Sequence, residues 1–275
     1  MRLSKFLVEK ILNEDYSDKS SYHNRHHVEN MLEGFGMWED SNPNFPKELI
    51  RIGEASILFH DARYKVGDPK NEERASIYAK EVLLRCGWPM NDAQAVHDII
   101  LTTKPFTDFN PDFNYFKGNS NRWQGECCIC KFHDLIDIIH DLDWIDFSNE
   151  GMLMEHHKKI FFEAHGLGSS FAFVSPRIDF WDFNIRKNQW DFYKKLLDQV
   201  VLNGYLFRSP SFEHIPLETI VHNLEMVIEN TKKELEEVYE DLKEEVQKWN
   251  ENHPDNLKEV PPNPFENNEN DIGTP

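Results

Sequence analysis

Ile57-Leu58-Phe59-His60-Asp61 is the stretch on which the reading of the whole chain turns. Ala55, Ile57, Leu58 and Phe59 continue an apolar run that begins at Leu49, and apolar residues at that density predict a helix buried on most of its sides. Such a helix leads His60 and Asp61 out of a packed scaffold that fixes their directions. Imidazole nitrogen beside carboxylate oxygen is a donor set for Mn, Fe, Zn or Ni rather than Ca.

Two adjacent donors do not make a site, so other residues must converge on them. Toward the N-terminus stands Ser20-Ser21-Tyr22-His23-Asn24-Arg25-His26-His27. If Ser20 or Ser21 caps a helix running to Met31, His23 and His27 lie one turn apart on one face. His26 then points about 100° away. Asn24 either holds a side chain in place or caps a turn.

Farther out, Leu3, Phe6, Leu7 and Ile11 repeat at helical spacing and predict an opening helix that ends near Asn13. Helices are expected over 22–38, 49–59 and 71–84, the last stopped by Gly87-Trp88-Pro89. Asn91 or Asp92 is the expected cap of a helix carrying Ala95, Val96, Ile99 and Ile100. Further helices are predicted over 131–145, 152–165 and 185–202, with one or two over 216–250, while 104–125 reads as an ordered loop and 171–183 carries no clear pattern. No Val/Ile alternation of strand type recurs, so the predicted fold class is all-α. Residues 1–230 are expected to form the helical domain and 231–250 an acidic, solvated helical extension. The Asn, Glu and Pro content of 251–275 predicts a disordered tail, because it buries too little apolar area to fold.

The chain has 49 Asp and Glu against 30 Lys and Arg, a formal net charge of −19. That field repels an extended nucleic acid and leaves room for a small phosphorylated substrate, whose charge a bound cation can offset locally. No run of about 20 apolar residues exists and the first residues do not resemble a signal peptide, so neither a membrane span nor export is expected, and the protein is expected in the cytoplasm. Cys127-Cys128-x-Cys130 with His133 offers three zinc donors, but a second ligand pair is missing and reduced thiols are the default there.

His27, His60-Asp61 and a later Asp together resemble the H…HD…D signature of the HD superfamily of metal-dependent phosphohydrolases. Tyr22-His23-Asn24-x-x-His27 is also similar to the stretch by which cyclic-nucleotide phosphodiesterases, distant members, place a general-acid His before a ligand His. His60-Asp61-Ala62-Arg63-Tyr64 followed by Asn71-Glu72-Glu73 resembles small bacterial and phage members of the superfamily. The similarity runs from about Tyr16 to Asp146, with weaker echoes over 208–224. His-Asp occurs four times, at 60–61, 97–98, 133–134 and 140–141, and only the first has this context. The other three are expected on helix surfaces.

The resemblance implies an HD-type helical bundle in which His27, His60, Asp61 and Asp143 hold one or two divalent ions, with Mn, Mg, Fe, Ni and Zn as candidates. Asp143 is favoured because Asp141-Leu142-Asp143-Trp144 is similar to the family's D-x-D-L, and Asp141 is the alternative ligand or an orienting partner. The implied activity is hydrolysis of a nucleotide-like phosphoester, with Asp61 bridging a second ion and His23 protonating the leaving group. Lys65, Lys70 and Arg74 are candidates for substrate phosphate, and Glu72 or Glu73 for a hydrogen bond to the attacking water. Where relatives carry a His after the threonine matching Thr102 or Thr103, Lys104-Pro105-Phe106 stands here. Two other readings compete: a di-iron oxygenase drawing on His97, His133, His156 or His157, and an HD scaffold that binds a partner without turnover.

Overall fold

The computed structural model describes residues 3–16, 22–65, 68–104, 126–164 and 180–265, excepting the side chains of 126–130, 162–164 and 181. The expectations for Ser20 and Ser21, the loop over 105–125, the thiols of Cys127, Cys128 and Cys130, and residues 171–179 and 266–275 lie outside the described residues. Among the described residues the regular structure is entirely helical: α1 (Lys5–Glu14), α2 (Arg25–Ser41), α3 (Lys47–Phe59), α4 (Asn71–Arg85), α5 (Met90–Thr102), α6 (Glu126–Asp143), α7 (Glu150–Ala164), α8 (Phe180–Asn203) and α9 (Leu217–Asn252). Two 3₁₀ turns, Ile145–Ser148 and Pro210–Phe212, join them. None of these helices is long and apolar enough to cross a membrane.

The helix α3 is the axis of the N-terminal half. Nine of its thirteen residues are buried, from Leu49 to Phe59, because α1, α2, α4, α5 and α6 pack around it. Polar residues keep to one side of it, with Lys47 and Glu48 exposed and Arg51 and Glu54 partly so, and burial of the apolar remainder stabilises by about 1.5–3 kcal/mol per large side chain. Gly53 permits the closest approach: a Cβ there would meet Phe35 at 2.5 Å and Leu135 at 2.7 Å. A bulkier residue at this position would force α2 and α6 away from α3, and both carry donors of the site described below.

A second layer forms where α8 and α9 pack on one another and on α7. Along α9 the buried residues Ile220, Leu224, Val227, Thr231, Leu235, Val238, Leu242 and Val246 recur every three or four positions. That stripe holds the helix against its neighbours well past residue 231. The helix is therefore continuous through the expected boundary at 230/231, and its acidic second half is packed along one face rather than fully solvated.

Residues 253–265 fold back along α9. Trp249 Nε1 donates to the Asn256 carbonyl at 3.0 Å, Asn250 and Lys258 exchange two hydrogen bonds, and Tyr239 donates to the Pro261 carbonyl at 3.2 Å. Phe265 meets Trp190 edge-on with ring centroids 5.5 Å apart. The expectation of an unanchored tail does not describe these residues: one aromatic ring and a few backbone acceptors suffice to tether a polar segment.

Candidate metal centre

The first donor is placed by a helix cap. Asn24 adopts an extended backbone, and its side-chain oxygen accepts from the N–H groups of His26 and His27 at 2.9 and 3.2 Å. Helix α2 therefore begins after Asn24, and His23 precedes it, which corrects the expectation that His23 and His27 share a helical face. With the start set there, Val28, Met31 and Phe35 turn inward, His26 is exposed, and His27 sits at the edge of the core.

His60 closes α3. Its Nδ1 lies 2.8 Å from the Ile57 carbonyl, which can only accept, so Nδ1 carries the proton and Nε2 faces the cluster. The turn after Asp61 is held from three sides. Arg63 takes a left-handed backbone with φ of 62°, its N–H donates to the Asp15 carbonyl at 3.1 Å and its Nε to the Asp15 carboxylate at 3.0 Å. Its guanidinium lies 3.7 Å over the Tyr78 ring, and Tyr78 donates to the same carboxylate at 2.7 Å. Burial and Asp15 push the Tyr78 hydroxyl up to about 12. Tyr16, wholly enclosed, donates to the Leu58 carbonyl at 2.8 Å.

Asp143 ends α6. Asp141, two residues earlier and so about 200° around the helix, faces the opposite way. Its carboxylate accepts the N–H groups of Arg208 at 2.9 and 3.0 Å and of Ser209 at 2.6 Å, and lies 3.0 Å from His140 Nδ1. His140-Asp141 is thus buried, not a surface pair, because backbone donors of a neighbouring turn satisfy the acid.

Ligand atoms of His27, His60, Asp61 and Asp143 all lie within 4.8 Å of one another, a grouping that can hold a metal ion. His27 Nε2 is 3.3 Å from His60 Nε2, 3.1 Å from Asp143 Oδ1 and 3.8 Å from Asp61 Oδ2. His60 Nε2 is 2.9 Å from Asp61 Oδ2 and 3.7 Å from Asp143 Oδ1. No Lys or Arg side chain pairs with either carboxylate among the described residues. Burial alone would raise both acids, yet His60 and, for Asp143, His27 as well hold them below the ordinary carboxylate range. Burial lowers His60 in turn, but the two carboxylates outweigh it and its imidazole titrates well above its usual value. Largely enclosed acids with no paired Lys or Arg among the described residues, and imidazole nitrogens aimed among them, fit a divalent ion.

Tyr22 backs this cluster. Its ring lies 4.7 Å from His27 and 4.3 Å from His156, and its hydroxyl is 3.4 Å from the Asp143 carbonyl. His156 is held 3.2 Å from Asp146, and burial lowers its pKa. It is the spare histidine that approaches the cluster: His97 pairs with Asp98, His133 is exposed, and His157 pairs with Glu234. Its nearness to His27 comes from α7 packing on the 3₁₀ turn that follows α6, and spacing along the chain carries no sign of it. His23 stacks on Tyr64, ring centroids 3.7 Å apart, and stands 6.5 Å from His27.

The residues proposed for substrate phosphate are placed differently from one another. Arg74 is engaged by Asp68 and Asn71, while Lys65 is exposed on the turn that Asn71 ties down through two backbone hydrogen bonds. Glu73 pairs with Lys104 at 2.7 Å, whereas Glu72 is raised by burial and by the charge of Asp61. A groove of about 360 Å³ opens beside the cluster between α2 and α7, with His27 and Asp143 in its lining. Comparison with protein-family models and with curated proteins finds no match to this chain.

Proposed function

We propose that this chain is a metal-dependent phosphohydrolase that cleaves the phosphoester of a small, nucleotide-like molecule with a water as nucleophile. The observation that carries the reading is the convergence of His27, His60, Asp61 and Asp143 from three helices, with the carboxylates of Asp61 and Asp143 largely enclosed and, among the described residues, no Lys or Arg paired with them. The likeness of these residues to the HD signature supports it. Divalent ions held there would acidify water and neutralise phosphoryl oxygens.

The chain's own residues supply the rest. Asn24 and the His60 Nδ1 hydrogen bond aim the imidazoles, the Asp15–Arg63–Tyr78 contacts hold the turn that presents Asp61, and Tyr22 supports His27 and Asp143 from behind. His23, buttressed by Tyr64, is assigned proton donation to the leaving oxygen, and Glu72, its carboxyl raised by burial, is better suited than the ion-paired Glu73 to hydrogen-bond water. Lys65 keeps its place as a candidate for substrate phosphate, while Arg74 acts on the turn through Asp68 and Asn71. The test is metal analysis of the purified protein with a panel of phosphomonoesters and phosphodiesters assayed with Mn, Mg, Ni and Fe. Metal-dependent release of phosphate or nucleoside is the expected result. Iron-dependent consumption of O₂ without phosphate release would replace the reading with an oxygenase.

A further inference from the structure

Of the four cluster residues, only His27 and Asp143 line the groove between α2 and α7, while His60 and Asp61 stand behind them. A phosphoryl group at the cluster therefore projects its remaining substituent into this groove, whose volume of about 360 Å³ suits one small organic body and no polymer. The wall chemistry defines that body. Glu33, exposed on α2, makes no ion pair among the described residues, and Asp146, on the 3₁₀ turn, is held by His156. Among the described residues Lys159 is the one Lys or Arg of the lining, and it leans toward Glu155 at 3.8 Å with its side chain well exposed. Met37 and Met152, both exposed, flank the mouth with adaptable apolar surface.

Resting on the phosphohydrolase reading, we infer that the groove selects a phosphomonoester with a neutral or cationic body bearing hydrogen-bond donors, and rejects di- and triphosphates. Two carboxylates beyond the cluster accept donors from such a body. The added phosphates of a triphosphate meet the same carboxylates with one solvated ammonium to offset them. In a water-filled groove these like-charge contacts amount to roughly a tenfold preference for monophosphate at low salt, shrinking as ionic strength rises.

The experiment is titration calorimetry of the metal-loaded protein with non-hydrolysable phosphonate analogues of adenosine mono- and triphosphate, alongside hydrolysis of p-nitrophenyl phosphate. Monophosphate analogue binding about tenfold tighter is expected, with Glu33→Lys cutting that ratio at least threefold. Glu33 is exposed, so the swap spares the core, and an unchanged circular dichroism spectrum checks this. Because the whole chain is acidic, Glu81→Lys, on the exposed face of α4, is the control and should leave the ratio unchanged. A ratio near one, or an equal response to Glu81→Lys, overturns the groove assignment. Failure to hydrolyse p-nitrophenyl phosphate with any metal, while the binding preference persists, overturns the phosphohydrolase reading and leaves the groove's selectivity standing.

Discussion

Two polar clusters lodged between helices of this protein are built from nearly the same residue types and have different fates. Where α2, α3 and α6 meet, two imidazoles face two carboxylates and, among the described residues, no guanidinium or ammonium joins them. Where α7, α8 and α9 meet, His157 lies 3.4 Å from Glu234, which also receives Arg186, and Arg186 lies 3.3 Å from Asp182. The second cluster carries its own cation, Arg186, between Asp182 and Glu234. The first has, among the described residues, only its own imidazoles to offset the carboxylates, and a divalent ion can take the place of their protons, which is the electrostatic condition of a metal site.

The largest effect that tests this contrast is removal of a ligand. Ala at His27, His60, Asp61 or Asp143 should abolish metal content and activity together, by metal analysis and phosphate release. Full occupancy in any one of these variants would take that residue out of the site. His23→Ala should keep its metal while turnover falls by roughly 10²–10⁴-fold, and the loss should shrink on nitrophenyl phosphate, whose leaving group needs no proton. Unchanged turnover on a poor leaving group would remove the acid assignment.

Asp141→Ala should separate the two acids of α6. It strands the Arg208 and Ser209 N–H groups in a buried turn and should cost about 3 kcal/mol in denaturant unfolding while the folded fraction keeps its metal. Loss of metal from that folded fraction would make Asp141 a ligand after all.

Arg186→Met tests the self-balanced cluster. It should lower stability by about 2 kcal/mol, less than a wholly enclosed pair because Glu234 is partly exposed, and added metal should not rescue it. Burial opposes ionisation of Glu234, yet His157 and Arg186 hold its pKa below the ordinary value. A depressed folded pKa contributes stability above the unfolded value of about 4.3, and that stability is lost as pH falls through the folded pKa. The variant should therefore show a flatter acid limb in a stability–pH profile, and a limb as steep as the parent's would clear Arg186 of this role. Smallest of all, truncation after Asn252 should lower the melting temperature by a few degrees through loss of the Tyr239 and Phe265 contacts, with metal content and activity unchanged.

Several features of the site were legible residue by residue. The run ending in His60-Asp61 had to be largely buried because its polar residues are few and confined to one side, and His27 and Asp143 were expected beside it from a likeness to a known signature. The start of α2 was not legible, since Ser20, Ser21 and Asn24 are all good caps and local chemistry ranks them nearly equal. Nor was burial of His140-Asp141, because the donors that satisfy Asp141 come from residues 208–209, far along the chain.

Local periodicity, which depends only on side chains three and four apart, determined that this chain is helical and where its apolar faces lie. The choice of one His-Asp pair among four came instead from the resemblance of its surroundings to the HD signature. Which charges would be neutralised, and by what, was decided only when the helices packed. Arg186 is an ordinary residue of α8 until α9 brings Glu234 against it, and Asp143 is an ordinary acid until α2 and α3 surround it with imidazoles instead of a guanidinium. Burial makes an unpaired charge costly, and burial is a property of the assembled helices rather than of any one of them.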